Sequence, residues 1–126
     1  MANVSIVTNK GLDMITALLA ASTHKYIHWG TGTTEAADTQ TALVTPGSEP
    51  RTSGTQTQQD TGGTTKDTYQ VVGTITCATA AKAITEVGVF SASTSGDMLL
   101  RSNFSAINVE VGDSIEFTIR VTVNQA

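Results

Sequence analysis

Charge is scarce in this sequence. Asp, Glu, Lys and Arg make up 14% of its 126 residues, against about 25% in an average soluble domain. The seven Lys and Arg are scattered and outnumbered by eleven Asp and Glu, leaving a net charge of −4. That excludes a nucleic-acid partner, because phosphate contacts need clustered basic residues. Cys77 is the only cysteine, so there is no internal disulfide and no thiolate zinc site, and it reads as a small apolar side chain in a strand. No run of about 20 apolar residues occurs, so no helix is expected in a membrane. A basic stretch followed by an apolar one is missing after Met1, so no secretory signal is expected either.

Threonine is what the chain has in excess, with 23 residues, alongside 11 glycines. A branched Cβ suits the pleated surface of a strand, so the composition points to a β-rich fold. The length is that of one domain with a single core. The expected fold is mainly β, a single antiparallel β-sandwich or barrel-like domain with one N-terminal α-helix.

Residues 1–8, with "VSIV" (Val4 to Val7), read as a short strand or an arm. The helix is expected over 9–21, "NKGLDMITALLAA". Thr8 or Asn9 can cap it, and Leu12, Ile15, Leu18 and Leu19 form one apolar stripe. From residue 25 to 124 the pattern is alternating. "KYIHW" is a core strand, and residues 30–50, with both prolines, are a long loop. "RTSGTQTQQ" (Arg51 to Gln59) alternates without apolar content and reads as a strand on the surface or at an interface. Gly62-Gly63 mark a hairpin tip. Four strands follow, "TYQVVGTITC", "AITEVGVFSA", "DMLLRSNF" and "SIEFTIRVTVNQ", separated by turn signals. In the last, Ile115, Phe117, Ile119, Val121 and Val123 alternate with polar residues, so one face is core and the other wet.

No chemistry-bearing constellation stands out. "GTGTTE" (Gly30 to Glu35) has two glycines of a dinucleotide fingerprint, but Glu35 holds the third place and would repel pyrophosphate. No packed helix follows it, so the glycines read as a tight turn leaving a core strand. His24 and His28 lie four apart, which in a strand separates them by about 13 Å, too far to share an ion. No nucleophile elbow or triad can be assembled, and eleven scattered acids would form chance carboxylate pairs. The glycosylation triplets at Asn3 and Asn103 carry no weight without a secretory signal. Neither enzymatic activity nor a cofactor is expected. Glu86 is the exception worth following, a lone carboxylate among Ile84, Val87, Val89 and Phe90. A buried acid must be neutral or paired, and Arg51 and Arg101 are the candidate partners.

The order of these features resembles small virion structural proteins of tailed bacteriophages. It rests on "TNKGLDMITALLAA", "YIHWGTGTT", the arginine of "RTSGT", "ITEVGVF", "GDMLLR" and "GDSIEF". The helix, Gly-x-Gly turn, arginine and "E-x-G-x-F" are also similar to the N-terminal module of phage tail-collar fibre proteins, although here no fibre shaft follows the last strand. The resemblance implies a non-enzymatic protein on the capsid surface, made in the host cytoplasm. Its leading form is a head decoration (cement) protein that braces the major capsid protein and associates with itself as a trimer or dimer. The alternative is a tail, baseplate or fibre attachment module that binds a host surface, where Tyr26, Trp29 and Tyr69 could stack on sugars. Candidate interface residues are Val4, Ile6, Val7, Thr33, Thr34, Arg51, Thr55, Gln56 and Gln58, since polar exposed strands and apolar arms favour pairing with another chain.

Overall fold

A computed structural model describes residues 4–63 and 65–125. Thr8 closes the start of α1 (Asn9–Ala20), its side-chain oxygen accepting the Gly11 N–H at 3.0 Å. Ala21 is the C-cap, so the helix ends one residue before the expected boundary. Leu12 and Thr16 are its buried residues, and Leu19 and Ala20 pack on the core beside them. Ile15 and Leu18, expected on the same stripe, are exposed instead. Positions 12, 16, 19 and 20 share one side of a 3.6-residue turn, and 15 and 18 fall away from it.

Seven strands follow: β1 (Tyr26–Gly30), β2 (Thr52–Ser53), β3 (Thr55–Gln59), β4 (Thr68–Thr76), β5 (Lys82–Phe90), β6 (Met98–Val109) and β7 (Ser114–Thr122). They form two antiparallel sheets, ordered β2-β1-β5-β6 and β3-β4-β7. The fold is therefore mainly β, two packed antiparallel sheets with one helix. The expected strand over 51–59 is divided at Gly54, and its halves join different sheets. A Cβ on Gly54 would meet Val71 and the carbonyls of Lys25 and Val72, so only glycine lets the chain cross between the sheets there.

Between the sheets lie Ile27, Trp29, Tyr69, Val71, Ile75, Ile84, Val87, Val89, Val109 and Phe117, with Cys77 buried among them. The cluster alternates along β1, β4 and β7 as a half-buried sheet requires. β5 departs from alternation, because Ile84 to Phe90 are all buried. It is an inner strand, between β1 and β6. Val87 and Val89 face the core, while Glu86, Gly88 and Phe90 point to the opposite side, where the 31–50 loop covers Glu86 and Gly88 and Arg51 lies over Phe90. Leu43 of that loop is 6% exposed, and its Cδ2 is among the atoms nearest Gly88.

α1 packs against β3 and β4. Gln56 is paired with Val71 and Gln58 with Tyr69, so both glutamines lie on the core-facing side of their sheet, beneath the helix.

Candidate functional site

Gly30, the last residue of β1, and Gly32 just beyond it prove to be a cradle for a carboxylate. Glu86 is 0% exposed and accepts four hydrogen bonds. Its Oε2 takes the backbone N–H of Gly32 at 2.6 Å and of Thr45 at 2.8 Å. Its Oε1 takes the Val44 N–H and the Arg101 Nε–H, both at 2.9 Å. A Cβ on Gly30 or Gly32 would run into the Glu86 side chain, so the loop can approach so closely only through glycine. Burial pushes the Glu86 pKa upward, but the donors of Thr45, Arg101, Val44 and Gly32 outweigh it and hold the group below its ordinary 4.5. The carboxylate is thus ionised and fully engaged.

Arg101, not Arg51, is therefore the partner of Glu86. Arg101 also donates from Nη1 to the Gln40 amide oxygen at 3.1 Å, while its Nη2 has no partner among the described residues. Beside it, residues 36–40 and the start of β6 enclose a cleft of about 370 Å³. Arg51 sits elsewhere, its guanidinium 3.7 Å from the centre of the Phe90 ring. Its Nη1 donates to the carbonyls of Ala92 and Ser95 at 2.8 and 2.6 Å, closing the turn between β5 and β6.

Sequence reasoning missed a second buried carboxylate, Glu49, which is 3% exposed. It accepts from Trp29 Nε1 at 3.0 Å, from the Ala78 N–H at 3.0 Å and from Lys82 Nζ at 2.6 Å. Burial again works to raise its pKa, and Lys82, Ala78 and Trp29 pull it well below the ordinary range. A loop glutamate between Ser48 and Pro50 gives no sign of burial. The one legible hint is that a core tryptophan needs an acceptor for its indole N–H. Glu86 therefore ties the start of the 31–50 loop, at Gly32, to its later limb, at Val44 and Thr45, and Glu49 reaches down from its end.

The loop is fixed along its inner side rather than free, though Thr33 and Thr34 on its outer side are exposed. Gln56 donates to the carbonyls of Leu19 and Ser22 and to the Tyr69 hydroxyl. Gln58 donates to Asp13 and to the Thr16 hydroxyl. Both glutamine amides are thus engaged within the chain, holding the helix down, so at these two positions the strand expected on the surface or at an interface faces the chain's own helix. Thr55 is exposed. Val4, Ile6 and Val7 are exposed along an extended segment.

Trp29 and Tyr69 are 0% and 1% exposed, so neither can stack on a sugar. Tyr26 is half-buried, with the Lys25 ammonium 5.9 Å from its ring centre. His28 Nε2 lies 3.0 and 2.9 Å from the carbonyl oxygens of Gly47 and Glu49, an arrangement for a ring N–H rather than a metal. Among the described residues no group of three His, Cys, Asp or Glu could hold an ion, and no helix is long and apolar enough to cross a membrane. On the flank opposite β2 and β3, the outer edges of β6 and β7 pair with no strand among the described residues. A groove of about 470 Å³ opens there, lined by Leu100, Phe104, Ile107, Ile115, Phe117 and Ile119 among others.

These features define a small antiparallel β-sandwich module, with the Glu86–Arg101 and Glu49–Lys82 pairs turned inward and apolar side chains left outside. The model of the podophage GP4 fiber I protein gp80 family matches residues 3–123, nearly the whole chain, and the chain belongs to that family. It is therefore a phage structural protein. No curated protein is significantly similar to it.

Proposed function

We propose that this chain is a non-enzymatic component of the phage tail fibre apparatus, a rigid module through which fibre and virion are joined. The observation that carries this reading is the fibre-family match over residues 3–123. The head-decoration role expected from sequence has no support beyond the same virion class, and the family's description favours the tail.

The architecture suits a joint. Glu86 and Glu49 pin the longest loop to the sandwich, so the exposed residues 33–39 are presented on a fixed support with little ordering left to occur on binding. Charge is scarce in the sequence, and Glu49, Glu86 and Arg101 are buried, so apolar and hydroxyl groups take a large share of the surface open to other protein. With a net charge of −4, nucleic acid is not a partner in this proposal; the partners are tail proteins and copies of the chain itself.

Gold-labelled antibody against the chain, viewed on intact particles by electron microscopy, tests the location. Label at the tail is expected. Label spread over the head would overturn the fibre assignment and restore the decoration role.

A further inference from the structure

α1 is apolar on two opposite faces. Leu12, Leu19 and Ala20 meet the sheets on one side. On the other, Met14, Ile15 and Leu18 are 59%, 37% and 74% exposed. A helix apolar all round is normally buried all round, and no described residue covers this second face. The stripe continues back into the arm: Val7 is 45% exposed, and its Cγ1 lies within 2.9 Å of where a Gly11 Cβ would stand. Val4 and Ile6, at 82% and 65% exposed, precede it. Six of the nine exposed large hydrophobic residues among the described ones thus fall between positions 4 and 18.

We infer that this face, Val7, Met14, Ile15 and Leu18 together with the arm residues Val4 and Ile6, is buried against the same face of a second copy of the chain. Three observations favour a copy over another occupant. Within α1, positions 11, 14 and 18 are spaced three and four apart, the alternation with which one helix meets a like helix along a seam, and Val7 lies just ahead of the N-cap Thr8. The charged side chains of residues 4–20 are Lys10 and Asp13, and they pair with each other at 2.9 Å. The patch is therefore neutral and can face its own image across a symmetry axis without like-charge repulsion. At the observed exposures the six side chains offer on the order of 600 Å² of surface. That is at the top of what a monomer leaves bare and near the ~800 Å² per partner of a stable interface. The inference deepens the proposed function but does not depend on where in the virion the protein sits.

Sedimentation velocity on the full chain tests it, with Met14→Glu/Leu18→Glu as the disrupting variant and Ile107→Glu, in the β6–β7 groove, as the comparison. Both substitutions in the first variant are at exposed positions, and circular dichroism verifies that it folds. The expected result is an oligomer for the wild type and for Ile107→Glu, and a monomer for the double variant, with association weakened at least tenfold. A wild-type protein that stays monomeric at high concentration overturns the inference and leaves the face for a different virion protein. An oligomer that survives the double variant, or dissolves with Ile107→Glu, also overturns it. Label on the head with self-association intact would refute the tail assignment alone.

Discussion

Replacing Glu86 by glutamine keeps the side-chain volume and removes one acceptor and the charge. Four donors converge on the carboxylate, two on each oxygen: Gly32 and Thr45 on one, Val44 and Arg101 on the other. Whichever way the new amide is turned, its NH₂ group faces two of these donors. A buried donor left without a partner costs about 1–3 kcal/mol, and breaking a buried ion pair from one side costs about 3–5 kcal/mol. These losses overlap, so Glu86→Gln is expected to lower stability by about 4 kcal/mol. In a domain of this size that corresponds to a fall in Tm of roughly 15 °C. Urea unfolding followed by circular dichroism measures the first quantity, and amide exchange at Val44 and Thr45 reports whether the loop has come loose. A loss under about 1 kcal/mol, with both amides still protected, would refute the claim that this carboxylate holds the loop.

Gly32→Ala should destabilise by about 1–3 kcal/mol, since its Cβ would meet the Glu86 carboxylate and Val44; unchanged chemical denaturation would contradict the cradle. Glu49 and Glu86 both have folded-state pKa values below the ordinary 4.5, so the unfolded chain binds protons first as pH falls. Stability should be level above about pH 4.5 and decline below it by up to about 1.4 kcal/mol per pH unit for each group, measurable as a falling urea midpoint. Arg51→Lys should lose about 1–2 kcal/mol despite the retained charge, because an ammonium cannot both stack on Phe90 and reach the Ala92 and Ser95 carbonyls. Full stability of that variant in thermal melts would show the stacking to be incidental.

The strands were legible because their pattern is local. β7 alternates without a break from Ile115 to Val121, and turn glycines bracket its neighbours. Glu86 was legible as a problem, a carboxylate in an apolar strand, but its solution was not: choosing Arg101 over Arg51 needs the pairing that sets β6 beside β5. The glycines after Trp29 were legible as a tight turn leaving a core strand, and only the fold shows that they make room for the chain's own carboxylate. Burial on the helix went astray for a related reason. The sheet beneath it presents Gln56 and Gln58, so a threonine at position 16 faces inward, its hydroxyl bonded to Gln58 and to the Lys66 carbonyl, while Leu18 faces out. Pattern alone ranks leucine as core and threonine as surface. The preference for head over tail leaned on where the chain stops, and that says nothing about location.

The central claim, a tail fibre component, is most directly tested by the number of copies per particle. Quantitative mass spectrometry of purified virions, referenced to the major capsid protein, gives that ratio. A handful of copies, in keeping with the symmetry of a tail, is the predicted result. Hundreds of copies, in step with the capsid lattice, would contradict it.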